Sequence, residues 1–219
     1  MIAKELISDM IMPLYPDDTV DQVLSMMSIY HVKHMAVVSN GILLGILSEE
    51  DATNVHPNTP LRDVKLSNTY AYVKASDHIF DVLSNMAENR TSIIPVVDDE
   101  EKFIGIITQE DLISYYANSF SFTEPGSIIV IVTTRRGYSL SEIARIVEME
   151  NTAILASFLS VVDNSELVYL TLKLNKSEIS SIIATLDRYE YKVSASFTEE
   201  ENSDDLKDRY DQLMNYLNV

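Results

Sequence analysis

The 219-residue chain has no cysteine. That excludes disulfides, thiolate metal sites and cysteine nucleophiles. Basic groups are few: 16 Lys and Arg face 34 Asp and Glu, a formal charge of −18. A surface of that sign opposes general binding to nucleic acid or to anionic membranes, and neither is expected as a partner. No apolar run approaches the ~18 residues that a membrane span requires. Residues 1–12 carry Lys4, Glu5 and Asp9 among apolar neighbours. They lack the charged-then-apolar layout of a secretory signal, so a cytoplasmic location is expected. Glycine is scarce, five in all. No Walker, dinucleotide, nucleophile-elbow or zincin pattern occurs. No catalytic residue is nominated, and an enzyme ranks last among the readings. His31 and His34 stand three apart. They straddle a helix-to-strand change and need not share a face, so no metal site is assigned.

Apolar residues make up 46% of the chain, enough to fill a core. The nine methionines read as core filler. The length suits one large domain or two small ones. Charge is unevenly spread: residues 1–118 carry −11, residues 119–197 carry −2 and residues 198–219 carry −5. This asymmetry points to three parts.

An internal repeat organises the first part. Residues Pro16–Ala52 align with Ala75–Leu112 at an offset of 59 up to Val38/Val97, and of 60 after a one-residue insertion. Asp18 and Asp77 are the expected caps of a helix in each repeat. Val20, Val23, Leu24 and Met27, and then Ile79, Val82, Leu83 and Met86, recur at helical spacing. A strand follows in each, Met35–Val38 or Ile93–Val97. A turn leads to a second strand, Ile42–Leu47 or Phe103–Ile107. Asn40-Gly41 suits a type I′ hairpin, whose two central residues need positive φ. Leading strands are expected at Met10–Leu14 and Thr69–Val73. Each repeat is thus a β-α-β-β-α piece of about 60 residues, small enough that the two are expected to pack together.

The second strands end in Gly45-Ile-Leu-Ser48-Glu-Glu-Asp51 and Gly105-Ile-Ile-Thr108-Gln-Glu-Asp111. A hydroxyl followed three residues later by an acid is a capping-box pattern that starts a helix. The same groups suit a ligand. A helix start and a hydroxyl can meet a phosphate, and a carboxylate one turn on can accept ribose hydroxyls. Both readings stay open on the residues alone.

With these motifs and Ile94-Pro95-Val96-Val97-Asp98, residues 1–118 resemble a tandem pair of CBS domains. The resemblance implies adenosine-nucleotide clefts between the units, Ser48 and Asp51 in one, Thr108 and Asp111 in the other. It places the adenine near Met10–Met12 and Asn68–Tyr70, so Ile11 and Tyr70 join the candidates. The ligand would be AMP, ATP or S-adenosylmethionine. Arg90 is the preferred phosphate cation, with Lys33, Lys74 and Arg62 behind it; His31 is its counterpart in the first repeat. Arg90 lies in the same repeat as Thr108 and Asp111, which favours their cleft if one alone binds.

Residues 119–126 read as a linker around Pro125-Gly126. Beyond it come a strand at Ile128–Thr134, a helix holding Leu140, Ile143, Ala144 and Val147, and strands at Ala153–Val162 and Leu167–Leu174. A helix at Lys176–Asp187 and a strand at Tyr191–Phe197 complete the order β-α-β-β-α-β, the ferredoxin-like plan. With Arg136–Glu148 opening its first helix, this part resembles an ACT domain, and Gly137 serves a tight turn. In residues 198–219, Leu206, Tyr210, Leu213 and Leu217 form a helical apolar stripe.

The expected fold is therefore α+β: CBS units at 1–58 and 59–118, a linker at 119–126, an ACT-like domain at 127–198, and a tail helix within 199–219. The order resembles acetoin-utilisation B-type regulatory proteins of bacteria. The resemblance implies a non-catalytic homodimeric regulator of an unidentified protein. The alternatives are a scaffold with empty clefts and, ranked lower, an amino-acid sensor acting through the ACT interface.

Overall fold

The computed structural model describes residues 1–66, 71–161 and 165–198. The expected tail helix, Tyr70 and the start of the second leading strand lie outside the described residues. The chain forms two compact units, Met1–Tyr116 and Ala117–Val219.

In the first unit, helix α1 (Val20–Tyr30) precedes the antiparallel pair β1 (His34–Ser39) and β2 (Ile42–Ser48), then the short helix α2 (Glu49–Thr53). The second repeat follows with β3 (Val73–Lys74), α3 (Ile79–Asn89), β4 (Ile93–Val97), β5 (Phe103–Thr108) and α4 (Gln109–Ser119). Both long helices have 11 residues and end on a left-handed residue, His31 at φ 54° and Arg90 at φ 53°. Both strand pairs carry a bulge at the same place, leaving Leu44 and Ile104 unpaired beside Gly45 and Gly105. Asn40 and Gly41 take the positive φ of the expected hairpin, 52° and 77°.

The helices start one residue later than expected. Asp18 and Asp77 do not cap them; their carboxylates hold the preceding turn by accepting the N–H of Tyr15 and Lys74 at 2.6 and 2.7 Å. The caps are Thr19 and His78, whose N–H groups are held by the side chains of Gln22 and Asp81. The first leading strand shrinks to a bridge between Leu14 and Val37.

Each leading segment packs on the other repeat. The N–H groups of Ala3 and Lys4 donate to the carbonyls of Asp77 and Ala75 at 2.8 and 3.1 Å. Those of Leu61 and Arg62 donate to Asp18 and Pro16, both at 2.9 Å. This exchange relates the repeats by a pseudo-two-fold. The repeats share one core, in which Met27, Met35, Ile46 and Leu47 meet Met86, Ile93, Ile94 and Ile107. Apolar alternation on the strands and the 3.6-residue stripe on the helices supply it.

In the second unit, β6 (Ser127–Thr134), β7 (Ile154–Val161), β8 (Leu167–Leu174) and β9 (Lys192–Phe197) form one antiparallel sheet in the order β7-β8-β6-β9. Helices α5 (Leu140–Met149) and α6 (Ser180–Arg188) complete the expected ferredoxin-like order. Ile129, Ile131, Leu170 and Leu172 bury one sheet face against Ile143, Ile146, Ile182 and Leu186. Ser139 caps α5. The N–H of Gly137 donates to Thr134 Oγ1 at 3.0 Å in the turn after β6.

Candidate functional site

The repeated motif forms a helix cap in both repeats. Thr108 Oγ1 accepts the N–H of Asp111 at 3.0 Å and donates to Asp111 Oδ2 at 2.6 Å, and the Thr108 N–H reaches the same oxygen at 2.8 Å. Ser48 Oγ accepts the N–H of Asp51 at 3.0 Å and donates to Asp51 Oδ2 at 2.8 Å. One oxygen of each acid is thus committed to starting its helix. Among the described residues, no hydrogen bond reaches Oδ1 of Asp111.

A cleft of about 350 Å³ opens beside the second cap. Thr108, Glu110, Asp111 and Ser114 line it from the start of α4. The end of α1 supplies Ile29, Tyr30 and His31, and the leading segment of the first repeat supplies Ser8, Met10 and Ile11. Met10 is 79% exposed and Ile29 71% exposed, so two large apolar side chains stand in water at its rim. The left-handed turn at His31 brings that residue to the wall. The αL geometry lets its N–H close α1 on the carbonyls of Met27 and Ser28 while the chain turns away.

The structure therefore brings Ile11, Thr108 and Asp111 together. Arg90 does not line this cleft, although it belongs to the same repeat as Thr108 and Asp111. The exchange of leading segments is the reason: the cleft joins the cap of one repeat to the helix end of the other, so His31 stands where Arg90 was expected. From the sequence, His31 is the counterpart of Arg90 and, with His34, an unassigned histidine pair, but not a cleft residue. The offset of 59 together with the exchange is the signal that identifies it.

On the other side of the pseudo-two-fold, a hollow of about 330 Å³ is lined by Lys33, His34, Ser48, Glu49, Glu50 and Thr53. Asp51 instead borders a separate hollow of about 340 Å³, with Val55, Val64, Lys65 and Leu66. Ser48 and Asp51 thus share a cap but not a hollow. Tyr70 lies outside the described residues. Arg62 is paired with Asp17 on the surface.

His34 and Ser92 join the repeats near the pseudo-two-fold. Ser92 Oγ accepts the Lys33 N–H at 2.9 Å and lies 3.2 Å from His34 Nδ1, and the Ser92 N–H donates to Nδ1 at 3.1 Å. Nδ1 is an acceptor here, which requires the tautomer protonated on Nε2. Burial holds the His34 pKa below its ordinary value, and the Lys33 charge acts in the same direction; Asp51 and Glu49 oppose them in part. Among the described residues, no group of three or more His, Asp or Glu is placed to hold a metal ion. No described helix is long and apolar enough to cross a membrane.

Comparison with known proteins places this geometry in a family. The CBS domain profile matches residues 3–58 and 53–118. Inosine-5′-monophosphate dehydrogenase of Methanocaldococcus jannaschii is 32% identical over 114 residues, 51% of this chain and 23% of that protein. An uncharacterised protein of the same organism is 29% identical over 140 residues, 63% of this chain and 52% of that protein. The chain thus spans about a quarter and about half of the lengths of these two curated relatives. A solved structure from Vibrio cholerae, described as a putative acetoin utilization protein, is 21% identical with a TM-score of 0.49, covering 56% of this chain and 95% of that one. With two overlapping matches that together run over more than half of its length, the chain belongs to the CBS domain family.

Proposed function

We propose that the protein is a non-catalytic regulator whose CBS pair binds an adenosine-type nucleotide in the Thr108–Asp111 cleft. One observation carries this reading: two repeats jointly line a cleft that holds exposed Met10 and Ile29 together with an acid that has an uncommitted oxygen. The apolar rim suits a purine face, and Asp111 Oδ1 suits ribose hydroxyls. Ligand binding ties the cap of one repeat to the helix end of the other. That shifts the geometry of the pair only by the difference in affinity between its two states. The C-terminal unit, read as an ACT-like dimerisation domain over residues 127–198, receives the shift in a homodimer and relays it to a regulated protein.

Titration calorimetry with AMP, ATP and S-adenosylmethionine on the full chain tests this. At least one of them binds the wild type, and Asp111→Ala weakens binding at least tenfold, the loss of about 1.4 kcal/mol expected for hydrogen bonds to a charged carboxylate. Absence of heat with all three ligands would refute nucleotide sensing. The second reading, a scaffold with empty clefts, draws on the caps themselves, since both acids already serve their helices. It is favoured if Asp111→Ala lowers stability and no ligand binds.

A further inference from the structure

We infer that the Thr108–Asp111 cleft selects an adenosine compound of low negative charge, a nucleoside or nucleoside monophosphate, over a di- or triphosphate. The inference rests on the reading of this cleft as an adenosine site and names the ligand within that class.

Charge comes first. Among the described residues lining the cleft there is no lysine or arginine, and His31 is the one basic side chain. Glu110 and Asp111 line the same cleft. A chain of formal charge −18 adds a repulsive background. Each added phosphate brings negative charge that no permanent cation in the cleft receives.

Hydrogen bonding points the same way. Thr108 spends both its hydroxyl and its N–H on Asp111 Oδ2. Ser92 Oγ accepts from Lys33 and faces His34. The Gln109 amide donates to the Thr91 carbonyl at 3.2 Å. Three of the polar groups around the cap are therefore engaged within the protein, while the carboxylates of Asp111 and Glu110 remain as acceptors. Ribose hydroxyls and an exocyclic amine are donors and match them. Phosphate oxygens are acceptors and find no partner in these two carboxylates. The volume, about 350 Å³, falls at the lower end of the roughly 300–1,000 Å³ of small-molecule sites.

The repeat supplies the decisive variant. Arg90 occupies the position matching His31 with the same backbone, φ 53° and ψ 39° against 54° and 36°. His31→Arg therefore installs a permanent cation at a turn the fold already accepts with arginine. The experiment is titration of the full chain with adenosine, AMP, ADP and ATP. Each titration is repeated on Asp111→Ala, so that only Asp111-dependent binding is scored. In the wild type that binding weakens on the order of tenfold from AMP to ATP at low salt, and the gap narrows as salt screens it. In His31→Arg, ATP gains about tenfold while adenosine stays within about twofold. ATP binding as tightly as AMP in the wild type overturns the inference, as does an equal gain for adenosine and ATP in His31→Arg. Absence of any Asp111-dependent binding removes the adenosine reading itself and this inference with it.

Discussion

Replacing Gly105 by alanine perturbs both the fold and the cleft. A Cβ at Gly105 would lie 2.3 Å from Cγ2 of Ile7 and 3.3 Å from its Cγ1 and Cδ1. Ordinary contact between carbon atoms is about 3.5–4.0 Å, so Ile7 must retreat by more than about 1 Å. Its Cγ2 is attached directly to a branched β-carbon with few rotamers, so side-chain rotation gives little relief. The leading segment must lift from β5, stretching the bond from the Ser8 N–H to the Ile106 carbonyl, now 2.8 Å. Overpacking costs about 1–3 kcal/mol and the weakened hydrogen bond about 1 kcal/mol more. Gly41→Ala is the control. Gly41 has φ +77°, and among the described residues a Cβ there would meet nothing within 4 Å, so alanine costs only the left-handed penalty, about 1–2 kcal/mol. Urea unfolding of the full chain is the assay, with the midpoint of Gly105→Ala below that of Gly41→Ala. Because the lifted segment carries Met10 and Ile11 to the cleft, Gly105→Ala also weakens AMP binding and Gly41→Ala does not. An unfolding midpoint for Gly105→Ala equal to that of the wild type would refute the close approach on which this reasoning stands.

Three further outcomes are expected. His34 has a lowered pKa in the folded chain, so as pH falls the unfolded chain takes up its proton first. Its contribution to stability is complete above its ordinary value of about 6.5 and is lost as pH drops from there toward the folded value. The slope is at most about 1.4 kcal/mol per pH unit, and less because the ring keeps some solvent contact. Urea midpoints between pH 7.5 and 5.5 should fall more steeply for wild type than for His34→Gln, and parallel slopes would contradict a stabilising role for the His34–Ser92 contact. Thr91 Oγ1 is buried without a hydrogen-bond partner among the described residues, and the matching residue is Val32. Thr91→Val is therefore expected to stabilise the first unit by about 1 kcal/mol, and a lower melting temperature would contradict that. In the second unit, Tyr191 Oη donates to Glu142 Oε2 at 2.5 Å, and burial together with that carboxylate raises its pKa to about 12. A raised value gives stability that is full below about pH 10 and is lost as pH rises toward 12. Tyr191→Phe should flatten alkaline denaturation in that window, and an unchanged alkaline profile would contradict the assignment.

Local chemistry was legible in the sequence; the crossing of segments was not. Helical spacing in Val20–Met27 and Ile79–Met86 and alternation in Leu167–Leu174 report burial directly, because each pattern repeats with the period of its own backbone. Asn40-Gly41 carried its turn in two residues, and the capping motif carried its own hydrogen bonds. The helix starts shifted by one residue because Asp18 and Asp77 each face two nearby sets of N–H groups, and the preceding turn wins both. The membership of the cleft depends on contacts between residues far apart in the chain, such as Ala3 with Asp77. No local pattern encodes these, so Arg90, rather than its counterpart His31, was grouped with Thr108 and Asp111. Repeat symmetry read together with that exchange would have found it. The split of Ser48 and Asp51 between two hollows is likewise a property of packing, since their cap is the same as that of Thr108 and Asp111.

The central claim is that Asp111 and the apolar rim around Met10 hold a sugar and its base. A crystal structure of the full chain grown with AMP tests it most directly. The ribose hydroxyls are expected on the Asp111 carboxylate and the purine against Met10, Ile29 or Tyr30. AMP bound elsewhere, or the Thr108–Asp111 cleft left without it at saturating concentration, would contradict the account.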